Sequence, residues 1–206
     1  MEKFEINENG TLTAYHNDNK DVTEIIIPEG VKFIERHVFS EYGKIYSVVF
    51  PDSLENLDNW AFWCCFELSK ITYRGITFNP RAEMFKKPET VDMIANKNYS
   101  HIMSHRIKYP VIFQIYFRDG DDVTTAYIKK HFKEIFKFLI NALIFQDSYK
   151  DCITSENVLT ITENLIKSGK FITKRNINTY IKLADEKECY EIFDILTEYR
   201  EENLKK

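Results

Sequence analysis

Val22-Thr-Glu-Ile-Ile-Ile-Pro28-Glu-Gly-Val31 returns 23 residues later as Ile45-Tyr-Ser-Val-Val-Phe-Pro51-Asp-Ser-Leu54, and again, fading, as Leu68-Ser-Lys-Ile-Thr-Tyr-Arg74-Gly75. Self-similarity at a fixed spacing of this size marks a solenoid, in which each unit buries its apolar side against the next. The register continues past the strand, pairing Val31 with Leu54, Ile34 with Leu57, Val38 with Ala61 and Phe39 with Phe62. Alternation along a strand sends Ile25, Ile27, Val48, Phe50, Ile71 and Tyr73 inward and leaves Ile26, Val49 and Thr72 as an outward stripe. Pro28 and Pro51 end their strands because they lack a ladder donor, and Gly30 and Ser53 suit the turn that follows.

The order of strand, proline, acidic-small turn, Val or Leu, then Ala-Phe, Cys and Leu resembles the BspA-type leucine-rich repeat. Its best copy here is Ala61-Phe-Trp-Cys-Cys-Phe-Glu-Leu68, and the resemblance covers residues 4–80. It implies a β-solenoid used for protein recognition or adhesion, with Cys65 as the inward cysteine. Tyr42 stands where the first repeat would carry that cysteine, which implies a wider first turn.

Both ends of such a solenoid need covering. Phe4 to Tyr15 alternates apolar and polar residues around Asn9-Gly10, a hairpin signal that predicts an amino-terminal cap. Two turns and a partial strand are too few to stand alone, so downstream residues must close the other end. From Asn79 the period changes to helical. We expect a linker through Pro88, a helix from Glu89, and two helical stretches, 99–108 and 109–118, meeting at Pro110, which breaks or kinks them. Further helices are expected over 123–145, 147–152, 156–167, 174–185 (capped by Thr173) and 188–202, with Ser168-Gly169 as a stop. The last two form a helical hairpin in which Ile177, Tyr180, Ile181 and Ala184 face Tyr190, Ile192, Phe193, Ile195 and Leu196. The segment from Leu165 to Leu196 resembles an ankyrin-like helix pair, although it lacks the Thr-Pro-Leu-His motif.

The fold class is therefore α+β: a short leucine-rich-repeat solenoid with a hairpin cap over 1–78, followed by an all-helical domain over 79–206 that caps it. At 206 residues, 44% apolar and 15% aromatic, the chain has ample material for a core. No apolar run reaches membrane-spanning length, and Met1-Glu-Lys-Phe-Glu-Ile6 lacks the basic start and apolar core of a secretory leader, so the expected location is the cytoplasm.

Chemistry-bearing motifs are scarce. Cys64 and Cys65 are adjacent, the wrong spacing for a metal knuckle, and Cys152 and Cys189 stand apart. His101 and His105 lie four apart without the Glu of a zincin motif. Asp119, Asp121 and Asp122 lack the rest of a calcium loop and read as a solvated helix start. Phosphate-cradling, dinucleotide and nucleophile-elbow motifs are missing. We expect no catalytic residue, metal or cofactor.

Residues 1–80 hold 7 Lys and Arg against 13 Asp and Glu, a balance of −6, and residues 81–206 hold 21 against 19. An acidic solenoid argues against nucleic-acid binding. Lys129, Lys130, His131, Lys133 and Lys137 form a basic helix face that reads as solvated exterior. The function expected is protein recognition without catalysis or membrane contact. Two candidate surfaces follow: the sheet-side stripe of Glu24, Ile26, Ser47, Val49, Lys70 and Thr72, and the turn-side aromatics Trp60, Trp63 and Phe66. The alternative is a small inhibitory effector, of phage or mobile-element type, whose acidic half occludes a basic nucleic-acid-binding surface on a target enzyme.

Overall fold

The structure, a computed structural model, describes residues 1–79, 89–97, 99, 105–150 and 152–204. It is α+β, with a β-rich amino-terminal part followed by helices. The chain divides into two compact units, Met1–Ile115 and Tyr116–Lys206.

The first unit carries two four-stranded sheets. Sheet A orders β1 (Lys3–Ile6), β2 (Thr11–His16), β4 (Phe33–Ile34) and β6 (Asn56–Leu57); sheet B orders β3 (Glu24–Ile26), β5 (Ser47–Phe50), β7 (Lys70–Tyr73) and β8 (Ile76–Phe78). Between the repeats parallel pairing runs at the 23-residue offset, Ile25 facing Val48, Val48 facing Ile71 and Ile34 facing Leu57, while the cap strand β2 joins β4 at an offset of 22, Leu12 facing Ile34. Two apolar rows result, Leu12–Ile34–Leu57 in sheet A and Ile25–Val48–Ile71–Phe78 in sheet B, all buried. Burying each of these side chains is worth about 1.5–3 kcal/mol, so the aligned rows carry much of the unit's stability.

A hairpin forms here, but its turn spans Asn7 to Gly10 rather than a primed Asn9-Gly10 pair, since Asn9 does not take positive φ. β1 and β2 pair antiparallel and β2 runs parallel to β4. Asn7 Oδ1 accepts from the N–H groups of Asn9 and Thr11, tightening the turn. Gly10 has φ +79, and a Cβ there would stand 2.7 Å from the Gly30 carbonyl oxygen.

Tyr42 does not widen the first turn. Tyr42 N–H donates to Phe39 O (3.1 Å) and Ile45 N–H to Tyr42 O (3.2 Å), matching Cys65 to Phe62 (3.2 Å) and Leu68 to Cys65 (3.3 Å) one repeat on. The buried ring packs edge-on against Tyr15, with centroids 4.7 Å apart, and its hydroxyl donates to Tyr15 O and accepts from Asn17 N–H. Tyr42 thus fits because no preceding repeat fills that space, and its ring packs instead on Tyr15 of the hairpin.

At the other end the third strand does not fade out. Arg74 (φ +48) and Gly75 (φ +71) form a two-residue turn, and β8 folds back antiparallel on β7. Positive φ at both central residues is the primed hairpin geometry that matches strand twist. Helix α1 (Glu89–Asn96) follows, then α2 (His105–Asp119). The break expected at Pro110 does not occur, since α2 runs through it. Tyr109, Val111, Ile112, Phe113 and Ile115 are all buried; at about 1.5–3 kcal/mol each they outweigh the roughly 3 kcal/mol that an interior proline costs. The expected boundary at 78/79 contrasts with a division inside α2, whose Gln114 reaches back to β8. The linker at 80–88 and His101 lie outside the described residues.

The second unit is built on α3 (Asp122–Ile144), which carries a local departure from helical geometry at His131 (φ −108, ψ 15). Asp121 caps it, Oδ1 accepting from Thr124 N–H (2.9 Å) and Oδ2 from Thr124 Oγ1 (2.8 Å), so this acidic cluster begins a helix. Phe132 stacks on Phe171 at 5.3 Å and meets Tyr180 edge-on at 5.2 Å. The remaining helices are α4 (Gln146–Tyr149), α5 (Ser155–Lys167), α6 (Ile177–Glu186) and α7 (Tyr190–Asn203). α6 starts three residues later than expected because Asn176 Oδ1 accepts from Thr173 N–H (2.7 Å), holding 173–176 in a turn. In α7 the buried positions are Ile192, Leu196 and Tyr199; Tyr190, expected in the hairpin seam, is exposed.

The close approach at Gly10 generates a prediction. Gly10→Ala adds both left-handed strain and a backbone clash, whereas Gly30→Ala (φ +93, no atom within 4 Å) adds strain alone. Gly30→Ala is expected to cost about 1–2 kcal/mol and Gly10→Ala clearly more, read as the order of their melting temperatures; equal shifts would contradict the close packing of cap on repeat.

Candidate protein-recognition surface

The outward face of sheet B is a row across four strands. Ile26 pairs with Val49, Val49 with Thr72, and Thr72 with Thr77. All four are β-branched, which suits a flat, stiff surface. Ile26 is 71% exposed, Val49 and Thr72 are half-buried, and Thr77 is exposed. Thr72 and Thr77 join through their hydroxyls at 3.1 Å, which fixes that end of the row.

The neighbouring row is Glu24, Ser47 and Lys70. Glu24 and Lys70 are exposed, at opposite sides of the central strand and about 10 Å apart by strand spacing. Ser47, expected on the contact surface, is only 5% exposed: its short hydroxyl lies between two longer side chains in register, so it is removed from the stripe. Thr77 is the residue that reading the repeat alone overlooks. Its signal was the Arg74-Gly75 turn between Ile-Thr-Tyr and Ile-Thr-Phe, two alternating segments that a primed turn joins.

On the turn side Trp60 and Trp63 meet edge-on at 4.6 Å, and the Arg36 guanidinium lies 5.5 Å from the Trp60 ring. Trp60 is half-buried, Trp63 is 44% exposed and Phe66 77%. Asp58 Oδ1 accepts from the Trp60 backbone N–H at 2.8 Å, anchoring the turn that presents them.

Cys64 and Cys65 do not divide cleanly into outside and inside; both are half-buried. Cys65 Sγ donates to Phe39 O at 3.3 Å, and burial, with Cys64 beside it, pushes its thiol up to about 12. Cys64 takes a left-handed backbone, φ +67, and so turns from the direction that simple alternation assigns. Among the described residues no cluster of three or more His, Cys, Asp or Glu is placed to hold a metal ion. Lys129, Lys130, Lys133 and Lys137 are exposed on α3, and His131 Nδ1 lies 3.4 Å from Glu134. No described helix is long and apolar enough to cross a membrane.

A family model described as a BspA type leucine rich repeat region, six copies long, matches residues 11–120. No curated protein and no solved structure matches the chain.

The two thiols should separate chemically. With its thiol near 12, Cys65 holds about one part in ten thousand as thiolate at pH 8. Iodoacetamide at pH 8, followed by peptide mass spectrometry, is expected to label Cys64 well ahead of Cys65, with Cys65 labelling still rising at pH 10. Equal rates at pH 8 would mean that Cys65 is not held as described.

Proposed function

The chain belongs to the BspA-type leucine-rich-repeat family, and on that premise we propose that it is a non-enzymatic protein-recognition module whose contact surface is the outer row of sheet B. The observation that carries the reading is the Ile26–Val49–Thr72–Thr77 row. Four β-branched side chains one strand apart form a regular surface, and Ile26 stands in solvent at a cost that the fold does not require. Glu24 and Lys70 give that surface a charged margin of each sign. The exposed Trp63 and Phe66 support a second contact at the turns, since aromatic residues dominate binding energy where they are buried by a partner.

The acidic-decoy alternative rests on the carboxylates of the first unit, several of which stand beside a cation while the −6 balance of residues 1–80 remains. In the first unit Glu5 faces Lys3, Glu41 faces Lys20, Asp21 faces Lys44 and Asp18 faces the amino terminus. Burial of the apolar row tolerates salt, whereas an acidic decoy would lose affinity steeply with ionic strength.

The test begins with a partner captured on the immobilised protein from its native host and identified by mass spectrometry. Ile26→Asp with Val49→Asp leaves the inward rows untouched; with Val49 half-buried and the two new carboxylates opposite each other in register, it is expected to cost about 1–2 kcal/mol of folding stability, and binding is read on protein shown to be folded. The double change should weaken partner binding at least tenfold, about 1.4 kcal/mol. Normal binding by this double variant, combined with loss of binding in a folded Trp63→Ala variant, would move recognition to the turn side.

A further inference from the structure

The two ends of sheet B are finished differently. At one end β8 closes the sheet, and Gln114 of α2 closes β8: Thr77 N–H donates to Gln114 Oε1 (3.0 Å) and Gln114 Nε2 donates to Thr77 O (2.6 Å). One side-chain amide therefore takes both backbone groups that a fifth strand would use. At the other end lies β3, which pairs only with β5. Ser47 N–H donates to Thr23 O and Ile27 N–H donates to Val49 O, both at 3.0 Å. Because backbone groups alternate sides along a strand, the N–H and C=O of Glu24 and of Ile26 point away from β5, off the edge of the sheet. Among the described residues none hydrogen-bonds to these four groups.

Exposed edges are normally blunted by charge, by proline or by a covering segment. β3 carries one charge, Glu24, and beside it an isoleucine that is 71% exposed. Extending the reading of sheet B as the recognition surface, we propose that β3 is a strand-addition site for an extended segment of another protein. The segment fitting this edge antiparallel sets a β-branched residue opposite Ile26, an apolar residue opposite Ile25, and lysine or arginine opposite Glu24. The apolar residue prolongs the buried row Ile25–Val48–Ile71–Phe78, and the basic one answers both Glu24 and the −6 balance of residues 1–80. A second copy of this chain fits less well, because it would bring together two acidic units and place Glu24 diagonal to its own equivalent.

The probe is an acetylated, amidated peptide, Lys-Thr-Val-Val-Lys-Thr-Lys, added to the full-length protein at near-saturating concentration, with amide hydrogen exchange read residue by residue. In the free protein the Glu24 and Ile26 amides should exchange fast while those of Ile25 and Ile27 are protected. The peptide should slow Glu24 and Ile26 at least fivefold. Ile26→Pro removes a donor that the internal ladder does not use, so it should keep the fold and abolish peptide binding, whereas Ile26→Thr, which keeps the N–H, should bind within about threefold of wild type. If Ile26→Pro does not fold, the peptide N-methylated at its first valine and second lysine serves instead and should not bind. Protection of Glu24 and Ile26 without peptide, no binding at millimolar peptide, equal binding by a peptide with glutamate for lysine, or undiminished binding by Ile26→Pro or the N-methylated peptide each overturns the proposal. Perturbation of Val49 and Thr72 with unchanged exchange at Glu24 and Ile26 would overturn the edge site while leaving the face of sheet B as the recognition surface.

Discussion

Backbone hydrogen bonds between residues 23 apart are the constraint on which the amino-terminal unit depends. Tyr46 N–H donates to Thr23 O (2.7 Å), Glu55 N–H to Lys32 O (2.8 Å) and Ser69 N–H to Tyr46 O (3.0 Å), so the same offset recurs on several sides of the coil. A ladder of this kind admits no extra residue within a turn, because one insertion would flip the following side chains to the wrong face. The offset thus dictates the aligned core rows, the stacking of Phe39 on Phe62 (4.7 Å, 9°), and the outward row that is left for contact.

What the sequence made legible and what it hid follow the same physics. The inward and outward positions of Ile25, Ile26, Val48 and Ile71 were readable because strand alternation and a fixed repeat act together, and each repeat checks the other. Ser47 was misplaced because alternation assigns a side chain its face but not its depth, which is set here by the longer Glu24 and Lys70 beside it. Tyr42 was misjudged for a related reason: volume alone asks for a wider turn, but a ring at the first turn can use space that only a missing repeat leaves open. In α2, local proline chemistry pointed to a break and tertiary burial prevailed. The β8 strand is masked in the sequence because Ile71-Thr-Tyr73 keeps the repeat register up to the Arg74-Gly75 turn that reverses the chain.

The outer face of sheet B is better defined in its apolar row than in its charges. Ile26, Val49, Thr72 and Thr77 are tied to the backbone register and cannot shift without unfolding the core behind them. Glu24 and Lys70 stand on flexible stems at the margin of that row. The exposed aromatics Trp63 and Phe66 belong to turns, whose path is held by Asp58 and by the bond from Phe66 N–H to Cys64 O (2.8 Å). Rigid strands and braced turns together present a surface that is already shaped before any partner arrives.

The antiparallel turn at Arg74-Gly75 also bears on how such an array changes length. A parallel coil can accept another coil at any free end, but β8 reverses direction and Gln114 then occupies its outer backbone groups. Nothing that continues the repeat can be appended beyond it without dismantling that closure. Duplication of a whole 23-residue unit upstream, between Val22 and Leu68, keeps every ladder partner and both closures in place. An array closed in this way would lengthen from the middle, and the outer row of sheet B would gain whole rungs rather than additions at its tip.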